Sequence, residues 1–308
     1  MFARIGNGFK IMRSTLMFIF RKPVFLIPVL FALVTSLLVN GFIIFSTLDQ
    51  TLSDGAYVGL GFLVIFVSSF FISLAQLIIL ELLEQHETDG DMKLGKAIGE
   101  ALSRDLLRAL PIILIWSLIQ FLIQILDALV SGGENGRSTF LERILRRLLS
   151  GIRRGLHWGV MLVLTALAWE DIKPKDAYHK AKTVYKKHFI EMLTGISISA
   201  VISLMFVVPV IIIIVLSSNG AIIIGPTILI VMMVWFVLIW CLGMIIEQIY
   251  TAELYLWYKV YEDEIETARQ KGVNGPSSLY DVPRPTFFDD VPDMVLRNRN
   301  QKDTQIKS

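Results

Sequence analysis

Long apolar runs alternate along this chain with short polar intervals that hold most of its charge. A helix that crosses a bilayer needs about 20 apolar residues, because the hydrocarbon is about 30 Å thick and each residue rises about 1.5 Å. Five runs meet this length, at 24–46, 57–80, 106–129, 192–216 and 226–250. A sixth, 156–169, is shorter and spans only if its helix begins near Gly151, with Arg153 and Arg154 reaching outward along their apolar stems. Gly151, Gly155 and Gly159 recur there at every fourth position, a small-residue face that lets helices approach backbone to backbone. The pattern predicts an all-α protein. Its expected parts are an amphipathic helix over 1–22, a polytopic bundle of six transmembrane helices over 23–261, and a tail over 262–308.

Two stretches are amphipathic rather than wholly apolar. Phe2, Ile5, Phe9, Met12, Leu16 and Ile19 step by three and four, with Arg4, Lys10 and Arg13 on other faces of the same helix. Such an arm lies on an anionic leaflet or packs on the ends of the spans, and the two readings are compatible. At about 138–152 a second apolar stripe (Leu141, Ile144, Leu145, Leu148, Leu149, Ile152) runs beside Arg143, Arg146 and Arg147. An interfacial helix whose arginines reach lipid phosphates is expected, since a re-entrant hairpin would carry them toward mid-bilayer at several kcal/mol each.

Charge placement orients the spans. Of 29 Lys and Arg, 23 fall before the first run, near 93–108, in 173–187 and after 250, one side of the membrane if six helices alternate. The positive-inside rule makes that side the cytoplasm and puts both termini there. The basic arm precedes an apolar run too long for a signal-peptide core, so the first span is an uncleaved anchor. With 54% hydrophobic and 18% charged residues the chain is far more apolar than a soluble domain, and its formal charge of +2 implies no nucleic acid as partner.

Candidate chemistry is sparse. Cys241 is the single cysteine, and His86, His157, His179 and His188 show no metal-ligand spacing. Phosphate-binding loops and nucleophile elbows are missing, so no enzyme, cofactor or metal is expected. Glu81, Glu84, Glu87, Asp89 and Asp91 lack the spacing of a calcium loop and read as solvated charge at a helix end. Within the spans, Ser69, Ser73 and Gln76 share one helical face and Gln120, Gln124 and Asp127 another. With Asn40 they would form a polar seam if the faces met. A channel or transporter would use such a seam for a small solute, whereas a scaffold would use it only for interhelical hydrogen bonds of about 0.6 kcal/mol each. Beyond 250, Tyr255, Trp257, Tyr258 and Tyr261 suit the headgroup level. From Gly272 the chain turns polar and Pro-rich, and an extended tail is expected, with Tyr280, Phe287, Phe288 and Met294 as anchors for a protein partner. Docking of these side chains on the protein's own loops is the competing reading.

The stretch AWEDIKPKDAYHKAKTVYKKHFIEMLTG, around 169–195, resembles a family of uncharacterised six-helix prokaryotic membrane proteins, a domain of unknown function. There a helix ends in an acid, a Lys-rich amphipathic helix beginning with Ala follows, and an acid precedes the next span. Glu170, Ala177, Lys180, Lys186, Lys187 and Glu191 match, while Thr165, Ala181 and Phe189 stand where the family's pattern has Pro, Ser and Trp. The opening NGFKIMRSTLMFIFRKPVFLIPVL, with Pro23 and Pro28, resembles the family's start. The resemblance implies a prokaryotic cytoplasmic membrane and no activity. The function expected is a non-enzymatic membrane scaffold or adaptor that binds anionic lipid headgroups or a protein partner.

Overall fold

The computed structural model describes residues 2–47, 53–131, 140–219 and 225–282. These form α1 (Phe2–Arg21), α2 (Leu26–Thr47), α3 (Asp54–Asp89), α4 (Leu94–Glu100), α5 (Leu106–Ser131), α6 (Phe140–Glu170), α7 (Pro174–Lys187), α8 (Phe189–Ser218) and α9 (Pro226–Gln270). The described residues contain no strand. Pro23 opens a 3-10 turn between α1 and α2, and Pro226 is the first residue of α9, positions where a missing N–H costs nothing. At the far end of α9, Gly272 takes φ +66 and the Val273 N–H closes on Ala268 O at 3.0 Å. This is the left-handed stop that glycine adopts without steric cost.

Among the described residues four helices are long and apolar enough to cross a bilayer: Pro23–Thr47, Gly55–Thr88, Leu94–Val130 and Val231–Gln270. Only 22–50% of their most apolar stretches is buried inside the protein. Phe42 is 73% exposed, Phe45 76% and Met233 69%. Contiguous apolar surface on this scale is not sustained in water, so the solvent around these faces is hydrocarbon and the protein belongs in a membrane. Two further apolar segments, Phe189–Val201 and Val207–Ser218, lie on α8.

The chain divides into two compact units, one of residues 1–29, 86–91 and 186–308, the other of 30–85 and 92–185. In the first, α1 packs on α8 and α9. Its buried edge is Ile11, Met12, Thr15, Phe18 and Ile19. The expected stripe is thereby split, because Met12 and Ile19 turn inward while Phe9 is 57% exposed. The helix has two apolar faces, and only one is used for packing. Gly8 sets the approach of α1 to α8, since a Cβ there would lie 2.8 Å from the Thr194 side chain. The basic residues Lys10 and Arg13 are exposed, and the Arg4 side chain lies outside the described residues.

In the second unit the core is a stretch of α3 (73–83) and one of α6 (161–169), each buried without interruption. They are tied by the Trp169 indole, which donates to Leu80 O at 3.2 Å. The interfacial helix expected over 138–152 and the short span 156–169 are one uninterrupted helix, α6, because nothing between them breaks the backbone ladder. Arg146 and Arg147 on its N-terminal half are exposed, and the Arg143 side chain lies outside the described residues.

Glycine substitutions separate packing from propensity. Gly8→Ala should force α1 off α8 and cost roughly 1–3 kcal/mol. Gly6→Ala, with no atom within 4 Å of the new Cβ, should be neutral or stabilising by roughly 0.5–1 kcal/mol. Thermal unfolding in one detergent compares them, and equal midpoints for the two variants would show that α1 does not rest on α8.

Candidate functional site

The second unit holds a charged cluster at the end of its apolar helices. Between α4 and α5, residues Ala101–Asp105 form a turn of π-helix, an extra residue in the ladder that re-aims the side chains on it. Arg104 leaves this turn to donate to Glu81 Oε1 at 2.8 Å, to Ala168 O at 3.2 Å and to its neighbour Asp105 at 3.0 Å. Glu84 is 3.9 Å away. Beside this cluster, Arg108 pairs with Asp171 and Lys180 with Glu170. Asp171 takes a left-handed φ of 56, a conformation that aspartate tolerates better than most residues. Within the acidic stretch Glu81 and Glu87 are not solvated as expected, being 1% and 3% exposed, whereas Asp91 is exposed. For Glu81 the reason is Arg104, 23 residues further along, whose contribution spacing within 81–91 does not reveal. The described residues include no group of three His, Cys, Asp or Glu set to hold a metal.

The candidate seam residues share this unit. Asn40 Nδ2 donates to Ser68 Oγ at 2.8 Å and to Ser36 Oγ at 3.2 Å, a polar clasp between α2 and α3. Ser69, Ser73 and Gln76 are buried. Gln120 and Asp127 are half-buried, and Gln124 is exposed on the apolar outside of α5. Ser36 and Ser68 complete the clasp at positions that periodicity leaves unremarkable.

In the first unit the site centres on Glu191, which is fully buried. Its backbone carbonyl accepts from Tyr250 Oη and its carboxylate from Tyr280 Oη, each at 2.6 Å. Tyr280 also stands edge-on to Trp257 at 5.6 Å, and the Trp257 indole donates to Val282 O at 3.4 Å. Leu279 and Val282 are buried. Tyr280 thus belongs to the fold and not to a free tail, because its hydroxyl satisfies a buried carboxylate. Phe287, Phe288 and Met294 lie outside the described residues. The aromatic cluster is corrected in the same way, since Tyr255, Trp257 and Tyr258 are 0–6% exposed and line the protein interior rather than the headgroups. Lys187 sits over the rings of Tyr258 and Tyr261, at 5.0 and 4.3 Å.

A groove of about 1010 Å³ opens between α5, α6 and α7 in the second unit. Gly151, Gly155 and Gly159 line it. No atom lies within 4 Å of a Cβ built at Gly151 or Gly159, and Gly155 meets only the Tyr185 hydroxyl, at 3.7 Å. The glycine face does not receive a helix backbone, as spacing had led us to expect, but lines an opening.

No protein-family model matches the chain, and no curated protein matches it either. The resemblance around 169–195 therefore carries no argument about function, which has to rest on the geometry.

Three predictions follow from these carboxylates and from Asp281. Arg104→Met leaves Glu81 unpaired in a dry site and should cost roughly 3–5 kcal/mol. Adding Glu81→Gln should recover part of that loss, and a double-mutant cycle with no coupling would sink the assignment. Tyr280→Phe should expose 276–282 to protease while leaving the helices folded. The same segment should loosen in acid, because hydrogen bonds from the Ser277 hydroxyl and the Ser278 N–H hold the Asp281 carboxyl below its ordinary value of 3.8. A depressed carboxylate stabilises the cap above its unfolded value and loses this as pH falls through the lower folded one, so protection should persist at pH 5 and decline only below about pH 4.

Proposed function

We propose that the protein is a non-enzymatic scaffold of a prokaryotic cytoplasmic membrane, crossing it six times with both termini cytoplasmic, and that it engages anionic lipid through its N-terminal helix. The observation that carries this reading is the second apolar face of α1. A shallow opening lined by Phe9, Leu16, Met17 and Phe20 of α1 and by Ile198 of α8, with Arg13 among them, is left uncovered beside the exposed Lys10. An apolar strip edged by cations matches an interface of acyl chains below and phosphates above.

A protein partner held by the tail would rest on Phe287, Phe288 and Met294, now without Tyr280. The channel or transporter reading draws less support, because Asn40 is already bonded to Ser36 and Ser68 and Gln124 faces outward.

Topology is tested with single cysteines in a Cys241→Ser background. Those at Ser53 and Asn219 should react with an impermeant maleimide on intact cells, and those at Asp91 and Lys271 should not. Labelling of Lys271→Cys from outside would reverse the orientation. For the arm, an environment-sensitive dye on Phe9→Cys should shift to the blue in phosphatidylglycerol vesicles and lose that shift with Lys10→Glu and Arg13→Glu. An unchanged dye spectrum in the charge-reversed protein would refute lipid engagement by α1.

A further inference from the structure

We infer that the groove between α5, α6 and α7 is a binding site for one molecule of anionic phospholipid drawn from the surrounding bilayer. The inference rests on the membrane reading but not on the lipid role of α1. Residues from Arg147 to Val163 on α6 contribute to the groove, so it runs for about 24 Å at 1.5 Å per residue. One leaflet's share of the hydrocarbon is about 15 Å, so the groove has length for an acyl chain together with its headgroup. Its volume of about 1010 Å³ is at the upper end of the roughly 300–1,000 Å³ typical of small-molecule sites.

The lining gives the ligand its chemistry. On α7, Lys175, Tyr178, Lys182 and Tyr185 recur at three and four residues, so one face of that helix lines the opening with two lysines and two tyrosines. Arg147 lines the groove toward the N-terminal end of α6, away from these lysines, and no carboxylate lines it. A cluster of cations and hydroxyl donors without an acid selects a phosphate. The remaining lining is aliphatic or aromatic, with Ile115 58% and Ile152 44% exposed. The glycines supply width, because each missing side chain leaves room for part of a chain to lie against the helix backbone. A neighbouring helix would satisfy the glycines and the isoleucines, but it would leave the two lysines of α7 unanswered. A lipid answers both.

The test is native mass spectrometry of the full-length protein after reconstitution into vesicles of equal phosphatidylglycerol and phosphatidylcholine and gentle extraction. The wild type should retain one phosphatidylglycerol. Gly159→Leu, which fills the groove where nothing else stands, should reduce retention at least tenfold. Lys175→Gln with Lys182→Gln changes only the lysine heads and should abolish the preference for phosphatidylglycerol over phosphatidylcholine while the protein stays folded. Lys10→Glu with Arg13→Glu should leave the retained lipid in place, which distinguishes this site from the one proposed on α1. Undiminished retention in both groove variants overturns the proposal. So does efficient disulfide crosslinking of Gly155→Cys, in the Cys241→Ser background, between copies in the same vesicles, because a second chain would then occupy the groove.

Discussion

A half-buried guanidinium organises the second unit. Arg104 meets Glu81 on α3, the Ala168 carbonyl near the end of α6 and its own neighbour Asp105, so α3 and α6 converge on the one planar group that this turn carries. Arginine suits this task because its rigid fork keeps its charge at any physiological pH and donates in several directions at once. Attraction alone does not explain the arrangement, since burying ions costs about as much as pairing them returns. What the cluster supplies is register. Once Glu81 is buried, any packing that leaves it unpaired is strongly disfavoured, and apolar helices that would otherwise slide against one another are held at one height. The π-helical turn at Ala101–Asp105 is the local distortion that lets Arg104 reach.

Glu191 has the same role in the first unit with neutral partners. Two tyrosine hydroxyls, from α9 and from the segment beyond it, converge on one residue at the start of α8. Residues 279–282 thereby join the core, with Leu279 and Val282 as their apolar contribution. A Pro-rich, polar composition led to the expectation of an extended tail. The composition is a sound average over 272–308, but it cannot register that one tyrosine has a buried carboxylate to satisfy.

Much of the architecture was legible, and for a definite reason. Hydrocarbon length imposes a run of apolar residues that no loop imitates, so helices at 26–47 and 106–131 follow from the sequence almost to their ends, whereas the run 57–80 marks only the apolar part of a helix that continues to 89. Inner and outer faces were not legible, because in a bilayer both are apolar. Leu80 and Phe42 look alike in sequence, yet one is fully buried and the other 73% exposed. Seam residues suffered the opposite error. Gln76 and Gln124 look equally polar, but only Gln76 is inside. Arg104 was counted only as one of many positive charges, since nothing local separates a cation that orients a span from one that holds a core together.

The glycine positions carry the same lesson one step further. Gly8 and Gly159 are both small residues on helices, and sequence spacing marks only the second, as part of a packing face. The structure exchanges their roles. Gly8 is where helices touch, with Thr194 so near that a methyl group would collide, whereas around Gly159 nothing lies within 4 Å. A missing side chain is evidence of close approach only when an atom stands where the side chain would be. Where none does, as along 151–159, the glycines make room rather than contact. In a membrane, room on an outer face fills with lipid chains, because a dry void there would forfeit the dispersion contacts of its whole lining. The cations of α7 then decide which headgroup accompanies the chain.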